Sequence, residues 1–168
     1  MKRILVAGVG NRLMGDDGFG PRVTDVLANY HLPRYVDLRD IGTAGITIAT
    51  DLSDYDVVIF LDSMNLDGEP GKVVKKSVKI EEGIDVSSDL ARTTLHEVGL
   101  EGLLRFSKSI GTLPSEVILI GCKPKTITVS LDLSPEVEEA TIFAAKMVKK
   151  IVEKKWMNKT CPLLIMSN

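Results

Sequence analysis

The stretch that most constrains this chain is Gly8-Val9-Gly10-Asn11-Arg12-Leu13-Met14-Gly15-Asp16-Asp17-Gly18-Phe19-Gly20. It follows an apolar run, Ile4-Leu5-Val6-Ala7, and leads into a helical pattern that begins near Pro21. A glycine-rich turn between a buried strand and a helix usually cradles phosphate on free backbone N–H groups. Here Asp16 and Asp17 stand where the phosphate would sit. The turn would repel an anion and attract a cation.

The order of elements follows from the apolar patterning. Arg3 to Val9 has no polar face and reads as a buried strand. Val23, Val26, Leu27 and Tyr30 then fall on one helical stripe, with Pro21 in the first turn. Tyr35 to Asp40 is a weaker strand, and Thr43 to Leu52 reads as a short helix. Tyr55 to Asp62 is a third, continuous strand that ends on a carboxylate. Val73 to Ile80 fits an edge strand, guarded by Lys75, Lys76 and Lys79.

Glu81 to Ala91 is loop-like, and Thr94-Leu95-His96-Glu97 spells a capping box. Val98, Leu100, Leu103, Leu104 and Phe106 supply the apolar face of the helix that follows. Glu116 to Gly121 is a further buried strand. Ser134-Pro135-Glu136 opens a last helix, with Val137, Ala140, Ala144, Ala145, Val148 and Val152 as its buried stripe. Strands alternating with helices imply one three-layer α/β domain, a mostly parallel twisted sheet with helices on both faces. The domain is expected over residues 1–156, with 157–168 as a flexible tail.

Composition narrows the function. A formal net charge of −2 gives no basic field for nucleic acid and no polybasic membrane patch. No run approaches the ~20 apolar residues of a membrane span. No signal peptide is visible, and Cys122 and Cys161 lie far apart with no metal or redox spacing. The expectation is a cytoplasmic protein without a disulfide framework.

In open α/β sheets, ligands bind beyond the carboxyl ends of the strands. Asp16 and Asp17 follow the first strand, Asp62 ends the third, and His96 sits in the first turn of a later helix. Two carboxylates and an imidazole without a nearby cysteine suit zinc, nickel or ferrous iron. Adjacent residues in a tight turn point apart, so one of the aspartate pair is a ligand candidate and the other caps the helix or anchors the turn. Each residue also has a bland alternative as a cap, a turn former or a solvated histidine.

Other chemistries fit less well. Leu13 stands where a dinucleotide fingerprint needs its third glycine, so a nucleotide-binding regulatory domain, with Asp37 or Asp40 as its ribose acid, is a weak rival. There is no Gly-x-Ser-x-Gly elbow, and neither cysteine has a base nearby in sequence. Lys123 and Lys125 read as a solvated loop.

The opening motif resembles that of the hydrogenase maturation endopeptidases, which trim the C-terminal tail from the large-subunit precursor of nickel–iron hydrogenases. The likeness continues through Asp40-Ile41-Gly42-Thr43-Ala44-Gly45, Phe60-Leu61-Asp62-Ser63 and His96-Glu97-Val98-Gly99-Leu100. It extends to Gly121-Cys122-Lys123-Pro124 and Leu133-Ser134-Pro135-Glu136-Val137, and only the tail beyond about Trp156 lies outside it.

The resemblance implies that Asp17, Asp62 and His96 occupy metal-binding positions and that Asp40 takes part in cleavage. Ile41 departs from the family pattern, where a second glycine is common. The nickel would arrive in the substrate, held by precursor cysteines, and the resting enzyme would be metal-free. The implied partner is the [NiFe]-hydrogenase large-subunit precursor, met by a monomer, with an attacking water as the simplest nucleophile. The alternative is a nickel-binding assembly or carrier module that cleaves nothing. Asp17, Asp62 and His96 are expected at solvent-facing ends of strands and helices, where alanine would cost little stability.

Overall fold

A computed structural model describes residues 3–43, 45–79 and 100–160. Five strands form one sheet: β1 (Ile4–Val9), β2 (Val36–Gly42), β3 (Val57–Ser63), β4 (Val73–Lys79) and β5 (Glu116–Cys122). Their order is β2-β1-β3-β5-β4. The first four in this order run parallel, and β4 pairs antiparallel with β5 at one edge. Lys75 and Lys76 are exposed there, as the edge-strand reading requires.

Helix α1 (Phe19–Ala28) and helix α3 (Pro135–Thr160) cover one face of the sheet, and helix α2 (Leu100–Ser109) covers the other. This is the three-layer α/β arrangement that the alternating pattern implies. Successive strand residues point to opposite faces, so the uniformly apolar strands feed two cores. Val6, Ile59 and Ile118 pack with Leu27 and Val148 on the α1 and α3 side. Leu5, Val58 and Leu119 pack with Leu52, Leu103 and Leu104 on the other. Each fully buried aliphatic side chain contributes about 1.5–3 kcal/mol. All six residues of the expected α3 stripe are buried.

Two local expectations change. The short helix expected over Thr43 to Leu52 is replaced by two 3-10 turns, Gly45–Ile48 and Asp51–Asp54. β-branched Ile46, Thr47, Ile48 and Thr50 crowd a continuous helix, and short tight turns relieve that crowding. On α2, Phe106 is exposed while Ser107 is buried beside Leu103 and Leu104. The turn angle brings position 107, not 106, onto the face of Leu100, Leu103 and Leu104. His96, the Thr94 capping box and the 81–91 loop lie outside the described residues.

The opening glycines seat α1 against the sheet. A Cβ on Gly20 would lie 2.2 Å from the Leu61 carbonyl oxygen and 2.4 Å from that of Val9. Gly10 has φ +132°, and a Cβ there would lie 2.0 Å from the Asp17 carbonyl oxygen. Between them, Gly15–Gly18 form one 3-10 turn that carries Asp16 and Asp17. Neither aspartate caps α1, whose cap position is Gly18 with no side-chain bond.

Asp16 instead anchors a distant segment. Its carboxylate accepts hydrogen bonds from the backbone N–H of Lys125 (2.8 Å), Thr126 (3.0 Å) and Ser134 (2.6 Å), and from the Ser134 hydroxyl (2.9 Å). It is fully buried. The connection from β5 to α3 is thereby tied to the turn after β1, and the start of α3 is capped from outside its own chain segment. Ser134 stands at the cap position the sequence indicates, but its hydroxyl donates to Asp16.

A second polar cluster holds the other end of the sheet. Asp37 accepts from the Tyr55 hydroxyl (2.7 Å) and from Arg3 (2.7 Å), and the Arg3 guanidinium stacks 4.8 Å from the Tyr55 ring centroid. These hydrogen bonds, the Tyr55 one first, hold the Asp37 carboxyl below its ordinary range against the opposing effect of partial burial.

Three expected outcomes follow from this packing. Gly20→Ala should lower unfolding free energy by about 3 kcal/mol or more in urea titrations, because the obstructing atoms are backbone. Asp16→Ala should cost about 3 kcal/mol by the same measurement, since it strands several donors at once. The lowered Asp37 value means that its share of stability is present above about pH 4 and is lost as pH falls through the folded value. The urea midpoint should therefore drop from pH 5 to pH 3, and less steeply in Tyr55→Phe.

Candidate active site at the carboxyl ends of β1 and β3

In this sheet β1 lies between β2 and β3, so chain progress reverses direction between β1 and β3. The crevice beyond their carboxyl ends is the topological switch point, where α/β sheets place ligands. Asp17 enters this region from the turn after β1. Asp62 enters it from the end of β3.

Asp17 is fixed from both sides. One carboxylate oxygen accepts the Asn11 backbone N–H (2.8 Å), and the other accepts the Ser63 hydroxyl (2.9 Å). Ser63 follows Asp62 directly, so the hydroxyl ties the turn after β1 to the end of β3. Val57, Ile59 and Leu61 face α1 and α3, whereas Val58 and Phe60 face α2. By strand alternation Ser63 lies on the α1 side and Asp62 on the α2 side. Ser63, Asn11 and Arg12 are site residues that sequence reasoning quoted inside motifs without giving them a task. The bonds that define them are made between segments.

The expectation of solvent-facing acids is corrected here. Asp17 is 4% exposed, and Asp62 is fully buried. Asp17 lies in the turn that Gly10 and Gly20 hold against the sheet, and Asp62 is buried on the α2 face of β3, neither of which a strand-end position in the sequence reveals. Alanine at Asp17 would leave the Ser63 hydroxyl and the Asn11 N–H short of an acceptor. It would cost stability as well as chemistry.

Asp40 stands apart from this pair. It pairs with Gly8 in the β1–β2 register, on the far side of β1 from β3. The register then slips, Val9 pairing with Gly42, so Ile41 is the extra residue of a bulge. Ile41 packs its side chain against the α2-side core. The departure at Ile41 thus shapes the strand end next to Asp40. Asp40 accepts from the Gly42 N–H (3.0 Å) and from Arg12 Nε (2.7 Å).

Arg12 is the hub of this corner. Its other guanidinium nitrogens donate to both Asp25 oxygens (2.6 and 2.9 Å), and one also reaches the Pro21 carbonyl (3.2 Å). Arg12 lowers the Asp25 carboxyl below its usual range, and Asp25 and Asp40 raise the guanidinium in turn.

Nucleophilic catalysis by the described cysteine is disfavoured. Cys122 ends β5 with no solvent exposure, and burial, reinforced by the charge of Asp16, pushes its thiol up to about 12. A thiolate is the reactive form, so Cys122 is inert near neutral pH. Among the described residues no three His, Cys, Asp or Glu side chains gather as a metal site. Asp17 and Asp62 both lie at the switch point, Asp17 on the α1 side through Ser63 and Asp62 on the α2 side, and His96 lies outside the described residues.

The profile of the hydrogenase maturation protease family (HycI) matches residues 21–151. A putative hydrogenase maturation protease of Methanocaldococcus jannaschii is 36% identical over 154 residues, covering 90% of this chain and 93% of that one. Among solved structures, the hydrogenase 2 maturation peptidase of a Thaumarchaeota archaeon is 59% identical with a TM-score of 0.69, covering 90% and 98% of the two chains. The hydrogenase maturating endopeptidase HybD of Escherichia coli is 29% identical with a TM-score of 0.77, covering 91% and 93%. The match spans 58% of the HupD protein of Rhodobacter capsulatus and 62% of that of Bradyrhizobium diazoefficiens. By profile, by sequence and by fold, this chain belongs to the hydrogenase maturation protease family.

Proposed function

We propose that this protein is an endopeptidase that removes the C-terminal tail of a nickel-loaded [NiFe]-hydrogenase large-subunit precursor. The observation that carries the reading is a pair of buried aspartates, Asp17 and Asp62, at the topological switch point of a chain from this family. Anionic groups in a poorly solvated crevice favour a cation over an anionic cofactor. The cation is part of the substrate: precursor cysteines hold the nickel, and Asp17, Asp62 and His96 read its presence. The isolated protein then takes up nickel only weakly.

Cleavage needs a nucleophile. With Cys122 inert, water is the simplest one: it adds to the scissile carbonyl, the C–N bond breaks, and the departing amine takes a proton. Ser63 and the Asn11 N–H orient the Asp17 carboxylate toward this event. Asp40, held by Arg12 and Gly42 on the β2 side of β1, is the acid that the family resemblance links to cleavage.

The deciding experiment incubates the protein with nickel-loaded and metal-free precursor and weighs the products. Only the loaded precursor should be shortened. Equal cutting of both would remove nickel reading, and cutting of neither, together with tight nickel uptake by the isolated protein, would favour a carrier.

The isosteric variants Asp17→Asn and Asp62→Asn should lower processing by about 100-fold or more while remaining folded by circular dichroism. His96→Ala should do the same. A variant that keeps full processing would remove its residue from the site.

A further inference from the structure

Four exposed apolar side chains gather on the two segments that meet beside the candidate site. Leu13 is 60% exposed, Ile127 37%, Val129 87% and Leu131 71%. Leu13 lies in the opening turn, and the other three lie in the connection between β5 and α3. The segments are hydrogen-bonded to each other: the Ser130 N–H donates to the Leu13 carbonyl (3.0 Å), and the Gly15 N–H to the Ser130 carbonyl (2.9 Å). Ser130 separates Val129 from Leu131 in sequence, so the pairing sets these side chains next to Leu13. Single exposed apolar residues are ordinary, but a contiguous group marks an interaction surface.

The connection is also unusual in content for a surface loop. It reads Thr126-Ile127-Thr128-Val129-Ser130-Leu131, where polar turn formers would fold as well. Its backbone does not depend on these apolar side chains, because Asp16 holds it through Lys125, Thr126 and Ser134. A cavity of about 220 Å³, lined by Arg12, Gly15, Gly18, Arg22, Leu131 and Leu133, adjoins the group. The surrounding charges are mixed, Arg12 and Arg22 with Asp25 and Glu138, which suits a peptide better than an anionic membrane surface.

We propose that Leu13, Ile127, Val129 and Leu131 form the surface on which an apolar segment of the precursor protein docks before its tail is cut. This rests on the protease reading above. A protein substrate must be seated next to Asp17, and this group is continuous with the turn that carries Asp17. Asp16 joins the docking loop to that same turn, so a bound segment is held in fixed register with the acids.

The test uses the full chain and the nickel-loaded precursor. The triple variant Leu13→Ser, Val129→Ser, Leu131→Ser should lower kcat/KM by about tenfold or more, chiefly through KM. The single variant Val129→Ser, at the most exposed position, should move KM the same way, so that misfolding of the triple variant cannot hide the effect. Phe106→Ser, which removes an exposed apolar side chain from the opposite layer, should leave KM unchanged. If the wild-type protein cuts and the Val129 and triple variants cut with unaltered KM, the docking surface is overturned while the protease reading stands. If the wild type does not cut loaded precursor, the protease reading falls, and this proposal with it. A wild-type dimer that the triple substitution makes monomeric, with processing unaffected, would make the surface a contact between copies and would equally overturn the proposal.

Discussion

The buried carboxylate of Asp16 joins the parts of this protein that have to work together. An ionised group without solvent is tolerated only when its oxygens are fully engaged, and here three backbone N–H groups and a hydroxyl converge on it. The donors come from residues 125, 126 and 134, more than a hundred positions along the chain. One side chain therefore fixes the turn after β1, the connection after β5 and the start of α3. Asp17, next to it in the turn, inherits that rigidity.

Two adjacent aspartates end in opposite roles because a 3-10 turn separates successive side chains by about 120°. Asp16 is directed at the β5–α3 connection and is consumed by structure. Asp17 is directed at the end of β3, where Ser63 receives it. The glycines around them do not serve a phosphate. They bring the backbone of α1 against β1 and β3, so that both acids are carried under the surface.

Much of the fold is legible in the sequence because its strongest signals are local. The uninterrupted apolar runs of β1, β3 and β5 and the stripe of α3 each declare burial without reference to any partner. The antiparallel edge strand is signalled by its lysines. Some local detail is masked by apolar pattern alone: β-branched crowding gives 3-10 turns in place of a helix after β2, and the helical turn angle puts Ser107 rather than Phe106 on the buried face of α2. The bulge that absorbs Ile41 stays hidden because it depends on the pairing of β1 with β2. The site divides the same way. Asp17 and Asp62 can be nominated from their positions after buried strands, but the burial of Asp17 and its tie to Ser63 arise from how closely α1 approaches the sheet, and Asp62 is buried on the α2 face. The anchoring of Asp40 by Arg12 and the latch made by Asp16 join residues that no spacing rule connects.

The close approach of α1 to β1 and β3 bears on how such chains can diverge. Gly10, Gly20 and Asp16 are demanded by steric and hydrogen-bonding necessity, whatever the protein does for its host. A descendant that had lost every catalytic purpose would still be compelled to retain them or unravel. The opening signature would then survive as a fossil of architecture. Loss of activity in such a lineage would show first at the oily rim of the β5–α3 connection, whose exposed side chains folding alone does not oblige it to preserve.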